Sequence, residues 1–206
     1  MCIICISEKG IKQPTKTTMQ TMWTNNPDGA GFMYERGGKV YTRKGFMKFN
    51  DFYEAVKSEQ FTSDDVVVYH FRISTQGGVN PEMTQPFFFT NDIVKTKELE
   101  SVTKLGIAHN GIIPMTTYRD AEYSDTAHFV AEYLPIIVRN MNDLKNPHTL
   151  ELLGELIHSK MVFLDFKGRV TRVGNFIRED DGLIYSNSTY KSYKYMYCGR
   201  NLQSVM

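Results

Sequence analysis

Long apolar runs are missing from the 206-residue sequence, and none approaches the roughly 18 residues that a membrane-spanning helix needs. Cysteine is scarce: Cys2, Cys5 and Cys198 are too few for a disulfide scaffold and suit a reducing compartment. Charge of one sign is lacking as well. The 24 Lys and Arg nearly balance 23 Asp and Glu, a formal net charge of +1, which removes the bulk electrostatic case for a nucleic-acid or acidic-membrane partner. No Pro- or Ser-rich linker, low-complexity tract or long-period repeat divides the chain. The apolar opening, Met1 to Ile6, has neither the basic region nor the length of a signal peptide. What is present is 41% hydrophobic and 13% aromatic residues, a globular composition. These features lead to the expectation of one soluble, cytoplasmic domain covering residues 1–206.

Short β-like segments dominate the first part. Cys2–Ser7 is an apolar run of strand length, and Gly31–Arg36 and Lys39–Arg43 flank Gly37-Gly38, a two-residue hairpin signal. Asp65–Arg72 is β-branched and aromatic, as a buried strand is. Leu105–His109 and Ile112–Met115 flank Asn110-Gly111, a second hairpin signal. The spacing predicts helices from Asn50 through Gln60, from Ser124 through Ile137 with a kink at Pro135, and over His148–His158. Met161–Phe166, Arg169–Val173 and Gly182–Ser186 then read as strands. Strands, then helices, then strands predict an α+β protein of largely antiparallel sheets.

Cys2 directly follows Met1. Removal of Met1 would leave a residue carrying both a thiol and a free α-amine, which titrates near 7.7–8.0 and so supplies nucleophile and base together. On position alone, a small buried hydrophobe in a strand is the simpler reading. Cys2-Ile3-Ile4-Cys5 spells C-x-x-C, but strand residues three apart face opposite ways, and no second Cys pair completes a zinc site. Arg72 sits at a strand edge on the face of Val66, Val68 and His70; it either meets solvent there or forks onto a carboxylate in a cleft, with Thr75 and Gln76 beside it. Asn110-Gly111 is turn chemistry, or else a side-chain amide and a backbone N–H converging as an oxyanion hole. Ser124-Asp125 caps a helix and offsets its dipole, or else its carboxylate grips a substrate ammonium. Lys160–Met206 has eight Lys and Arg against four Asp and Glu, and Tyr190–Tyr195 alternates with lysines; a solvated, tyrosine-faced edge strand explains it as well as stacking on single-stranded nucleic acid does.

Taken in order, the early Cys, Asn26-Pro27-Asp28-Gly29-Ala30-Gly31, the His70–Gly77 stretch, His109-Asn110-Gly111 and Ser124-Asp125-Thr126 resemble the class II glutamine amidotransferases, a family of N-terminal-nucleophile hydrolases. Gly182–Tyr190 looks like the family's closing strand and Ser-Asn loop, so the resemblance covers most of the chain. It implies a four-layer α/β/β/α sandwich and hydrolysis of L-glutamine to glutamate and ammonia through a Cys2 thioester. Asn110 and Gly111 would hold the oxyanion, Arg72 the substrate α-carboxylate and Asp125 its α-ammonium, with Thr75 and Gln76 lining the pocket. No cofactor or metal is implied. The length matches a glutaminase domain alone, so the ammonia-accepting synthetase or transferase would be a separate chain. Ile3 stands where the family usually has Gly, and Gln76 where many members have His. The alternatives are another N-terminal-nucleophile amidohydrolase and a catalytically silent binding or regulatory domain.

Overall fold

A computed structural model describes residues 1–116 and 120–191. Alternation builds its central strand. In β1 (Ile3–Ser7) every residue is buried, Ile3 and Cys5 toward one core and Ile4 and Ile6 toward another, the period-two pattern of a strand covered on both sides. β1 pairs antiparallel with β4 (Val67–Phe71), Ile3 opposite Phe71 and Ser7 opposite Val67, and with β11 (Ile184–Tyr185). Around them lie α1 (Lys16–Asn25), β2 (Ala30–Arg36), β3 (Lys39–Phe46), α2 (Phe49–Ser58), β5 (Phe87–Phe88), β6 (Glu100–Thr103) and β7 (Leu105–Asn110). The helical run α3 (Asp125–His128) to α4 (Leu134–Ile137) follows, then α5 (Pro147–Ile157), β8 (Lys160–Asp165), β9 (Val170–Val173) and β10 (Ile177–Arg178). The protein is α+β with two antiparallel sheets: seven strands in the order β10-β11-β1-β4-β2-β3-β6 and four in the order β5-β7-β8-β9.

Three apolar clusters hold these elements. Ile3, Phe32, Tyr69 and Phe71 meet Met19 and Met22 of α1 and Phe49, Phe52 and Val56 of α2. Phe52 is fully buried, with its ring edge-on to Phe71 at 5.0 Å; burying one such side chain contributes about 1.5–3 kcal/mol, and the ring pair about 0.5–1.5 kcal/mol more. Ile4, Ile6, Met33 and Val68 of the larger sheet share a second cluster with Ala108, Val162 and Leu164 of the smaller one. Leu105, Ile107, Met161 and Phe163 meet Val130, Leu134, Leu153 and Ile157 in the third.

Several expectations need correction. Asn110-Gly111 does not turn a hairpin: Asn110 stays in β7 opposite Lys160, and Pro114–Thr116 forms a 3-10 turn instead of a return strand. The backbone N–H of Ile113 goes to the Asp125 carboxylate at 2.7 Å, not to a strand partner. Helix α2 begins two residues earlier than Asn50 would cap it, with Lys48 at the cap and no side-chain bond there; burial of Phe49 on the α2 face outweighs the missing cap. Helix α1, absent from the sequence reading, is Thr-rich and buries Met19 and Met22 from an otherwise polar surface. Thr15 caps it by accepting from Thr18 N, and Thr21 and Thr24 donate back to carbonyls four residues earlier. Ser124 caps α3 as expected. Pro135 acts through a π-turn at Phe129–Tyr133, which widens the helical register just before the residue that cannot donate. Ser192–Tyr195 and Cys198 lie outside the described residues. Among the described residues no helix is long and apolar enough to cross a membrane.

Candidate functional site

Pairing of β1 with β4 puts Cys2 beside the chain that leaves β4. The Cys2 thiol donates to Ile73 O and its sulfur accepts from Ile73 N, both at 3.4 Å. Burial pushes the thiol above its ordinary value; the Ile73 N–H, the Arg72 guanidinium and the chain's amino group oppose that rise, and Asp125 adds to it. Cys2, Arg72 and Asp125 therefore share one electrostatic environment although they lie up to 123 residues apart in number. Alternation sends Ile3 into the α1/α2 core, away from the thiol. Cys5 faces that same core and, like Cys2, is a free thiol, so the C-x-x-C spacing forms no joint site. Among the described residues no group of three or more His, Cys, Asp or Glu is placed to hold a metal.

Arg72 does not end at solvent; it is 3% exposed. Its fork donates to Gln76 O (2.8 Å) and Gly78 O (2.6 Å), two carbonyls of the loop that follows. Its backbone is clamped by the Pro27-Asp28-Gly29 turn: Arg72 N donates to Gly29 O, Asp28 N to Arg72 O, and Ser74 N to Asp28 Oδ2. Gly29 takes φ +109°, which explains glycine at the turn. The loop then passes so close to α3 that a Cβ on Gly77 would lie 2.8 Å from Ser124 N. Thr75 on this loop is exposed. Gln76 is half-buried, and its buried Oε1 has no hydrogen-bond partner among the described residues.

Asp125 and the turn after β7 form one unit. Asp125 Oδ2 accepts from Ile113 N, and Oδ1 accepts from Thr126 N at 2.7 Å, so the carboxylate ties the Asn110-Gly111 turn to the start of α3. His109 extends the tie. Ser159 donates its hydroxyl hydrogen to Ile157 O, so its oxygen accepts from His109 Nε2–H at 2.6 Å. His109 Nδ1 is then the acceptor for the Thr126 hydroxyl at 2.9 Å. Burial drives the His109 pKa down to about 4, against the opposing charge of Asp125, and a neutral ring fits both of the imidazole's own bonds, with the Thr126 hydroxyl turned to Nδ1 in preference to the longer contact with Asp125 Oδ1 at 3.3 Å. His70, driven down to about 3 chiefly by burial, donates through Nε2 to His109 O and bridges the two sheets.

Asn110 is 4% exposed. Its Nδ2 donates to Ser186 Oγ at 2.7 Å, and its buried Oδ1 has no partner among the described residues. Ser186 exchanges backbone and side-chain bonds with Ile4: Ser186 N donates to Ile4 O, and Ile4 N to Ser186 Oγ. Asn187 Nδ2 donates to Cys2 O at 2.7 Å. The loop after β11 thereby joins the Cys2 strand to Asn110. Gly111 takes φ +150°, with Ser159 where a Cβ would stand. Sequence reasoning gave no individual role to Asp28, Ser186 or Asn187; the turn and Ser-Asn loop containing them were visible, but contacts across 46 to 185 residues leave no local signal. No family model matches the chain, and no match is found among curated proteins.

Proposed function

We propose that the chain hydrolyses L-glutamine to glutamate and ammonia as the glutaminase module of a class II glutamine amidotransferase, with Cys2 as its nucleophile. The observation that carries this reading is how three distant segments are tied together: the Cys2 thiol bonds the backbone of Ile73, next to Arg72, and the Arg72 loop presses on Ser124, next to Asp125, so that the charges of Arg72 and Asp125 both act on the thiol. A cation and an anion beside one nucleophile complement an amino-acid head group, which bears one charge of each sign. The three successive apolar clusters, helix on sheet, sheet on sheet and sheet on helix, support a four-layer α/β/β/α sandwich and a single domain.

The chemistry requires loss of Met1, which is 73% exposed; until then the Cys2 nitrogen is an amide without basic character. The freed α-amine takes the thiol proton as sulfur attacks the side-chain carbonyl carbon of glutamine. The carbonyl π electrons move to oxygen, and the Asn110 amide with the Gly111 N–H stabilises that oxyanion. Collapse expels the amide nitrogen, which takes the amine's proton and leaves as ammonia. Water, deprotonated by the same amine, attacks the thioester and yields glutamate and the thiol. Arg72 meets the substrate carboxylate in place of a loop carbonyl, and Asp125 the ammonium. Thr75 and Gln76 belong to the same loop and complete the pocket wall.

Protein whose mass shows Met1 removed is incubated with glutamine, and glutamate is followed by NMR. Cys2→Ala abolishes turnover and labelling by an electrophilic glutamine analogue; turnover that survives Cys2→Ala refutes the reading. Arg72→Ala separates glutamine from other amides: activity on a different amide that withstands this change assigns the chain to another N-terminal-nucleophile amidohydrolase.

A further inference from the structure

An oxyanion needs donors, yet the only described hydrogen bond of the Asn110 amide nitrogen is spent on Ser186 Oγ. Two groups beside that bond are left over. Asn110 Oδ1 is buried with no partner among the described residues. Ser186 Oγ accepts from both Ile4 N and Asn110 Nδ2, and among the described residues its own hydrogen finds no acceptor. A half-turn of the carboxamide about its Cβ–Cγ bond exchanges its oxygen and nitrogen at almost no change in shape. Ser186 then donates to Asn110 Oδ1 while still accepting from Ile4 N, and both leftover groups at Ser186 and Oδ1 are paired.

We infer that Ser186 is a positioning residue for this reaction, holding Asn110 by its oxygen so that the amide N–H groups are free for the substrate oxyanion. The inference rests on the glutaminase reading above and adds a residue that touches neither substrate nor nucleophile. Its anchor is strand β1: Ser186 is fixed to Ile4 by two bonds of 2.8 and 3.0 Å, and Ile4 is two residues from Cys2. The nucleophile and the oxyanion donor thus take their separation from one hydroxyl. Lys160 donates to Ser186 O and sits opposite Asn110 across β7 and β8, which steadies the same corner. With the nitrogen turned toward Ser186, the atom facing the reaction would be a carbonyl oxygen, which repels the oxyanion.

Neutron diffraction from deuterium-exchanged crystals of the wild-type protein reads the orientation directly. Deuterons on the Asn110 atom remote from Ser186, with the Ser186 O–D pointing at Asn110, are expected; deuterons on the atom next to Ser186 overturn the inference. The kinetic arm uses a double-mutant cycle on protein lacking Met1. Ser186→Ala lowers kcat for glutamine about tenfold to a hundredfold with KM little changed, whereas adding it to Asn110→Ala lowers kcat no further. An equal loss in both backgrounds means a merely structural Ser186 and refutes the role. Failure of the glutaminase reading shows separately, as wild-type protein that releases no glutamate, and the neutron result stands whatever that outcome or the folding of the variant.

Discussion

His70 and His109 make the fold sensitive to acid in a way that can be worked through. Both are buried, 0% and 1% exposed, and both are neutral in the native state, with pKa values lowered to about 3 and about 4 against 6.5 for the free side chain. Arg72 adds to the depression at His70, and Asp125 opposes it at His109. The unfolded chain binds a proton at each imidazole as pH falls through 6.5, while the native state does not until well below that. The stability is therefore fully present above pH 6.5 and is lost as pH falls toward 4. Each imidazole costs about 1.4 kcal/mol per pH unit over that window. From pH 6.5 to 4.5 the two together remove about 5 kcal/mol, comparable with the whole stability of many domains.

Urea unfolding at pH 7.5, 6.5, 5.5 and 4.5 measures this, with the fluorescence of the single tryptophan as probe. Trp23 packs against Phe49, Phe52 and Phe71, so its emission reports the α1/α2 core. Glutamine at either position keeps a polar amide but cannot titrate. His70→Gln and His109→Gln should each flatten the pH slope by about one proton, and the double variant by two. Equal slopes in the wild type and both variants would show that the imidazoles are not the acid-sensitive groups.

Two further outcomes follow from backbone and packing geometry. Gly77 sits at φ +77° with Ser124 N and Tyr123 C 2.8 and 3.0 Å from any added Cβ; Gly77→Ala should lower stability by about 2 kcal/mol and raise KM for glutamine, because the Arg72 loop must lift off α3. An unchanged urea midpoint and KM would disprove that contact. Ile3 is fully buried among the α1/α2 core residues, so Ile3→Ala should cost about 2–5 kcal/mol while leaving the rate of Cys2 alkylation within about twofold. A marked acceleration of alkylation would mean that Ile3 does crowd the thiol.

Much of the frame was legible because it is written in local patterns. Asp65–Arg72 announces β4 by its β-branched run, Gly37-Gly38 takes the positive φ its hairpin needs, and Ser124 caps the helix it precedes. Helix α1 escaped notice because its two buried methionines are too few to set a period among threonines. At Asn110-Gly111 the turn preference was real, but a long-range carboxylate competed with it: Asp125 captures Ile113 N and diverts the chain. The candidate site residues were visible as residue types in order. Their partners were not, since Arg72 is bound by carbonyls of its own loop and Asn110 by Ser186, 76 residues away.

That difference bears on how the chain could work. A sequence motif names the groups that carry charge, but their placement comes from β1, whose five residues are all buried and three of them isoleucine. Its register with β4 sets Cys2 against Ile73, its pairing with β11 delivers Ser186 to Ile4 and Asn187 to Cys2 O, and its alternation turns Ile3 away from the thiol. A one-residue slip of that strand would reverse every side chain on it, moving the thiol into the α1/α2 core and Ile3 out of it. The apolar alternation of Ile3–Ser7 and the two clusters it feeds make such a slip costly. The same packing that stabilises the centre of the fold therefore also fixes where Cys2 sits relative to Asn110.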